Sequence, residues 1–228
     1  MLVHEPSGLL HTVEIIHWGA LGVMAVVYAL RIRWLLSFRA TRDRQMPGNP
    51  ARTNAQRGAV YSLANVMMPW AMESTRQGFA FYLTFVLFHL GVVAGISLAF
   101  LSSISRPFMQ IPAVATATLA LLGAAFTIGL YRIARRLLRP VLRLISTPDD
   151  YFSVTLLTGW FLLGAFAELH ILGRVEGDGV MVAYLLLTSF FLLYVPFSKI
   201  SHYLYYPFTR IWLGRTMGHR GTFPLVRG

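Results

Sequence analysis

Five runs of mostly apolar residues, at roughly 9–36, 79–101, 111–130, 152–172 and 180–206, govern what this chain can become. Each is long enough to cross a bilayer as a helix, which takes about 20 residues. In lipid a spanning segment has to satisfy its own backbone polar groups, so helices are expected. The chain is 56% hydrophobic and only 13% charged over 228 residues, with a mean hydropathy of +0.58. A soluble domain carries about 25% charged residues. The expectation is an all-α integral membrane protein, one domain over residues 1–228, built as a bundle of five transmembrane helices. The first run has no basic flank before it and no small-residue cleavage site after it, so it reads as a retained helix rather than a signal peptide.

Charge sets the expected orientation. Eighteen of the 20 Lys and Arg residues, Arg42 and Arg227 among them, lie between runs one and two or at the ends of those runs, between runs three and four, or toward the C-terminus. Only Arg106 and Arg174 lie on the other side. The positive-inside rule then puts the N-terminus outside and the C-terminus in the cytoplasm. The net charge of +11 is on this basis a topology signal with some attraction to anionic membrane lipid, and a nucleic-acid partner is set aside. The long connection over 37–78 falls on the cytoplasmic side. It holds the turn PGNP, Pro47 to Pro50, and then the stretch Arg57 to Arg76. There Val60, Leu63, Val66 and Met67 recur at a spacing that favours a helix lying on the membrane surface. The same helix suits the docking of a cytoplasmic subunit.

The chain has no cysteine, so it supplies no thiolate to an iron–sulfur cluster or to zinc, and no CxxCH attachment for haem. A redox cofactor has to be held by histidine or methionine, or belong to a partner. Of the seven histidines, His4 and His219 fall outside the lipid and receive no role. His89 stands in VLFHLGVVAGISLAF, and His202 in YVPFSKISHYLYYPF at the cytoplasmic end of run five. An ionisable side chain inside a membrane is costly and marks a functional site by default. Two imidazoles on opposing helices in one half of the membrane are what a bis-histidine haem needs, one nitrogen for each face of the iron. Their depths differ, His89 being about 15 Å along its helix from Phe79. Each histidine alone is equally compatible with packing or with a place beside a quinone.

A second group falls in the outer half: His11, Glu14 and His17 in HTVEIIHWGA, and Glu168 and His170 in AELHILGR. Glu14 and His17 are three apart and share a helix face. Two functions suit the group. One is a second bis-histidine haem on His17 and His170. The other is a quinol site in which Glu14, Glu168, His11 or the other imidazoles accept the protons released on oxidation. Snorkelling of His11 and Glu168 at the interface is the bland alternative. Gly91, Gly95, Gly123, Ala124 and Ala125 are expected to let helices approach closely.

Three stretches bear on family. FHLG with VVAG, Phe88 to Gly95, resembles the ligand-bearing second helix of the gamma subunit of respiratory nitrate reductases. PFSKISHYL, Pro196 to Leu204, resembles the end of that subunit's fifth helix. STPDDYF, Ser146 to Phe152, is similar to the cytochrome b subunits of membrane complexes of sulfate reducers and of the membrane-bound heterodisulfide reductase. In the gamma subunit, helices two and five each carry two histidines that together hold two b haems. The resemblance implies that His89 and His202 are axial ligands of one haem b iron. The second pair is absent, since Ala99 and Tyr184 stand at the corresponding positions. Arg76, Arg135, Lys199 and Arg210 are candidates to pair with a haem propionate.

The function these readings imply is a haem b subunit of a bacterial or archaeal cytoplasmic (inner) membrane. It would carry electrons between the quinone pool and partner redox subunits, such as a cytoplasmic Fe–S subunit or an external multihaem cytochrome. Bond-making catalysis would belong to the partners. The alternative is a cofactor-free membrane anchor whose loop docks a soluble oxidoreductase. A transporter is disfavoured, because no repeated or broken helices recur in two halves.

Overall fold

The computed structural model describes residues 8–39, 43–48, 50–71 and 73–225. His4, Asn49 of the PGNP turn, and Arg42 and Arg227 of the charge pattern lie outside the described residues. Among the described residues ten α-helices follow one another: α1 (Gly8–Ser37), α2 (Ala55–Ala64), α3 (Glu73–Gln77), α4 (Phe79–Ile104), α5 (Arg106–Met109), α6 (Pro112–Leu138), α7 (Pro140–Ile145), α8 (Pro148–Ile171), α9 (Gly179–Tyr194) and α10 (His202–His219). Among the described residues there is no strand. Five helices are long and apolar enough to cross a membrane: α1, α4, α6, α8 and the segment Gly179–Phe197 that contains α9.

Two expected elements differ. The fifth run, expected as one helix over 180–206, stops at Tyr194 and continues as two short 3₁₀ turns, Val195–Phe197 and Lys199–Ser201. Pro196 has no N–H to continue the helical ladder. Ser198 then accepts the Ile200 N–H on its side chain at 3.2 Å, which begins the next turn. His202 therefore opens a new helix rather than ending a spanning one. The stretch Arg57 to Arg76 is likewise broken after Ala64, with a 3₁₀ turn at Asn65–Met67 and another at Pro69–Ala71. In it Val60 and Met67 are exposed, while the packed face is made of Gly58, Ala59, Ser62 and Asn65.

The chain forms two compact units. The first comprises Met1–Val26 and Leu83–Tyr194, the second Val27–Tyr82 and Val195–Gly228. In the first, α6 packs along α8 and α8 along α9. Gly91 of α4 has no room for a side chain against Ala125 and Leu121 of α6, whereas Gly123 faces open space. STPDDYF proves to be a helix start. Thr147 and Asp150 close a capping box, with Pro148 in the first turn. Asp149 accepts the Tyr194 hydroxyl at 2.7 Å, which fastens α8 to α9.

In the second unit α2 lies against α10. Gly58, Gly214 and Gly218 are all at backbone contact distance across the pair. Arg210 donates to the Ser62 carbonyl at 2.9 Å and to the Asn65 side-chain oxygen at 2.6 Å, and the Gly218 carbonyl accepts the Asn54 N–H at 3.0 Å. Arg220 closes the end of the pair on Asp43 at 2.6 Å.

Candidate functional site

The face of α1 that packs inward carries Leu10, Val13, His17 and Ala20, a three-four-three spacing that follows the helical period. His17 is on that face by register, so it is fully buried. Its ring lies 4.8 Å from the Phe100 ring, and its Nδ1 is 3.4 Å from the Ser189 hydroxyl on α9. Its Nε2 is buried with no hydrogen-bond partner among the described residues. Glu14, one turn earlier, is half-buried and accepts from Ser103 at 3.4 Å. His11 is exposed.

Near the end of α8 the packed residues are Gly164, Ala167, Glu168, His170 and Ile171. Glu168 is fully buried, and neither carboxylate oxygen has a hydrogen-bond partner among the described residues. An unpaired carboxyl removed from water costs several kcal/mol, so its retention inside a membrane-spanning helix points to a task beyond packing. His170 is placed differently. Its Nδ1 donates to the Val175 carbonyl at 3.1 Å, which leaves the lone pair on Nε2 to accept from Arg106 at 3.3 Å. The Asp178 carboxylate lies 3.7 Å from the same Nε2. The turn that brings Val175 back passes through Gly173, at φ 70°, where a side chain would be strained. His170 is thus the centre of a polar knot that joins α5 to the α8–α9 connection, and Gln110 adds a bond to the Ile171 carbonyl at 3.1 Å.

Between α4, α8 and α9 stands a set of residues to which the sequence reading assigned no function. Tyr184 is fully buried and donates its hydroxyl to the Gly95 carbonyl at 2.5 Å. Its ring stacks on Trp160, with centroids 6.0 Å apart and planes 17° from parallel. Trp160 donates its indole N–H to Thr188 at 2.8 Å, and the Thr188 hydroxyl donates in turn to the Tyr184 carbonyl at 2.7 Å. Gly95 accommodates the indole, since a methyl group there would collide with it. Ala99 is also fully buried. The positions where the resemblance places a second pair of ligands are thus filled by close packing.

His89 belongs to the first unit and His202 to the second. His89 donates Nδ1–H to the Phe85 carbonyl at 2.7 Å, and His202 to the Lys199 carbonyl at 3.1 Å. A carbonyl only accepts, so in both rings the lone pair is on Nε2. Metal-bound imidazoles use this arrangement, with the second nitrogen donating to a carbonyl. Among the described residues no three or more His, Asp or Glu side chains gather as for a metal ion. Of the propionate candidates, Arg210 is committed to Ser62 and Asn65, Arg76 and Lys199 are exposed, and Arg135 is half-buried. An open apolar groove of about 600 Å³ runs between α8 and α9, lined in part by Phe152, Leu156, Leu163 and Leu187; none of the candidate ionisable residues lines it.

Among known proteins, one of Nitratidesulfovibrio vulgaris, described only as "Protein", is 28% identical over 201 residues, covering 86% of this chain and 88% of that one. No protein-family model matches the chain, and no solved structure matches it.

Proposed function

We propose that this chain is a membrane electron-transfer subunit that oxidises a quinol beside Glu168 and His17 and holds haem b on His89 and His202. One observation carries it: within membrane-spanning helices, Glu168 and His17 are fully buried and offer three polar atoms with no partner. Such groups are suited to taking the protons a quinol gives up when it is oxidised. Glu14, paired with Ser103, and exposed His11 on the same helix would extend the path of those protons toward water.

The haem assignment rests on the sequence positions of His89 and His202. It is supported by the tautomer that each ring adopts, with Nε2 carrying the lone pair an iron takes. Haem b, when bound, supplies one-electron storage between a two-electron donor and a partner. A second haem on His17 and His170 finds less support, because both His170 nitrogens are engaged with Val175 and Arg106. The terminal partner would be a cytoplasmic Fe–S or other redox subunit, or an external multihaem cytochrome. In this reading the complex belongs to a bacterial or archaeal cytoplasmic membrane, and the bias of Lys and Arg supports a C-terminus on the inside.

Pyridine haemochrome quantification of the purified full chain tests the proposal. One haem per chain is expected, lost in both His89→Leu and His202→Leu. A colourless wild-type preparation with full helical content would leave the cofactor-free anchor instead. Two haems per chain would return His17 and His170 as ligands.

A further inference from the structure

At the end of α6 three arginines, Arg132, Arg135 and Arg136, follow at helical spacing inside a membrane-spanning helix. Arg132 is half-buried, with its guanidinium carbon 4.6 Å over the Phe88 ring. Its Nε is fully shielded without a hydrogen-bond partner, and among the described residues Arg132 is in no ion pair. The acidic side chains closest along the chain are engaged elsewhere, Asp149 by Tyr194 and Asp150 by Thr147. A cation in that position has its charge uncompensated by the protein, which calls for an anion from outside it.

The next ten residues say which anion. Helix α6 ends at Leu138 and α7 begins at Pro140. Leu137, Leu138, Val141, Leu144 and Ile145 are turned outward, with exposure running from 55% at Leu137 to 79% at Leu138 and 86% at Leu144, while Leu142 is half-buried. A soluble anion would not explain this patch, and an acidic protein surface would leave it wet. A molecule with an anionic head and apolar tails covers both at once. Arg136 is held in place by its bond to the Ser146 hydroxyl at 2.7 Å, and its carbonyl accepts from Tyr151 at 3.5 Å. Guanidinium groups match phosphate oxygens in geometry as well as charge.

We infer that Arg132 and Arg136 bind the phosphodiester of an anionic phospholipid, whose acyl chains lie over Leu137, Leu138, Val141 and Leu144. The site stands whether or not the chain carries haem.

The test is native mass spectrometry of the delipidated full chain, titrated with phosphatidylglycerol and, separately, with phosphatidylcholine. Wild type is expected to retain phosphatidylglycerol selectively. Replacing both arginines by glutamine weakens that binding by roughly 30-fold, from about 1 kcal/mol for each arginine near a lipid headgroup. The exposed-residue variant Leu138→Asn with Leu144→Asn, which disturbs no packed contact, also weakens it, whereas Arg174→Gln in a distant loop does not. Equal retention of the two lipids, or unchanged phosphatidylglycerol binding in both double variants, overturns the inference. Displacement by inorganic phosphate at matching concentration also overturns it, since that would make the site one for phosphate alone.

Discussion

Gly58 on α2 and Gly214 on α10 meet backbone to backbone, with no space for a methyl group on either. The two helices that form the core of the second unit are separated by more than a hundred residues of sequence, and this contact is where they join. Gly58→Ala or Gly214→Ala would drive Cβ into main-chain atoms that have nowhere to move. The expected loss is about 1–3 kcal/mol, as for other overpacked sites. It should appear as a lower melting temperature in detergent and as new protease cuts between residues 43 and 71. Gly123→Ala, which faces open space, is the matched control and should leave both unchanged or improve the first.

Thr188 completes the interior chain of bonds from Trp160 to Tyr184. Thr188→Val keeps the shape but leaves the buried indole N–H with no acceptor, at a cost of about 1–3 kcal/mol. Thr188→Ser restores the acceptor and should recover most of that loss. Thermal unfolding followed by tryptophan fluorescence separates the two; equal melting points would show that the bond contributes nothing.

Glu168→Gln should have opposite effects on stability and function. A neutral amide is easier to bury than a carboxylate, so the variant should melt no lower than wild type. Loss of the proton acceptor should slow electron entry from a short-chain naphthoquinol by about 100-fold or more. Glu176→Gln, on an exposed residue of the α8–α9 connection, should change neither. A Glu168→Gln chain that accepts electrons at the wild-type rate would remove Glu168 from the quinol site.

The Arg220 guanidinium, hydrogen-bonded to Asp43, holds that carboxyl below the usual carboxylate range. A carboxyl whose pKa is depressed by folding stabilises the fold above its unfolded pKa of about 3.9 and loses that contribution as pH falls through the folded value. The contact between the 43–48 segment and the end of α10 should therefore persist through neutral and mildly acidic pH and open only below about pH 4. Hydrogen exchange at Gly48, whose N–H is donated to the Arg220 carbonyl, reads this directly. In Asp43→Asn the exchange should be fast at every pH.

The sequence announces the spanning helices clearly, because about 20 apolar residues in a row have few other destinations. That His17 and Glu168 fall within apolar runs was legible for the same reason, whereas their full burial depends on the helices packed around them. The break after Tyr194 was less so: Pro196 was visible, but the apolar run through Tyr206 masked it. Pairing of α2 with α10 leaves a trace in the sequence. Gly214 and Gly218 are four apart, as are Gly58 and Ser62, the small-residue spacing that lets helix backbones touch. The apolar Val60 and Met67, which dominate the pattern there, face outward. Trp160, Thr188 and Tyr184 could not be grouped from sequence, since their partnership depends on where α8 and α9 cross.

Helix α10 begins at His202, and the α2 segment grips it from Arg210, bonded to Ser62 and Asn65, through Gly214 and Gly218; Arg210 is about 12 Å along the axis from the histidine. Pro207 stands between the two, and the helix would pivot there. Whatever seats itself on the loop carrying α2 therefore takes hold of a lever whose far tip is an imidazole. A push of an ångström at the handle would be felt as a tilt at that ring, giving a docked protein mechanical influence over a residue it never touches.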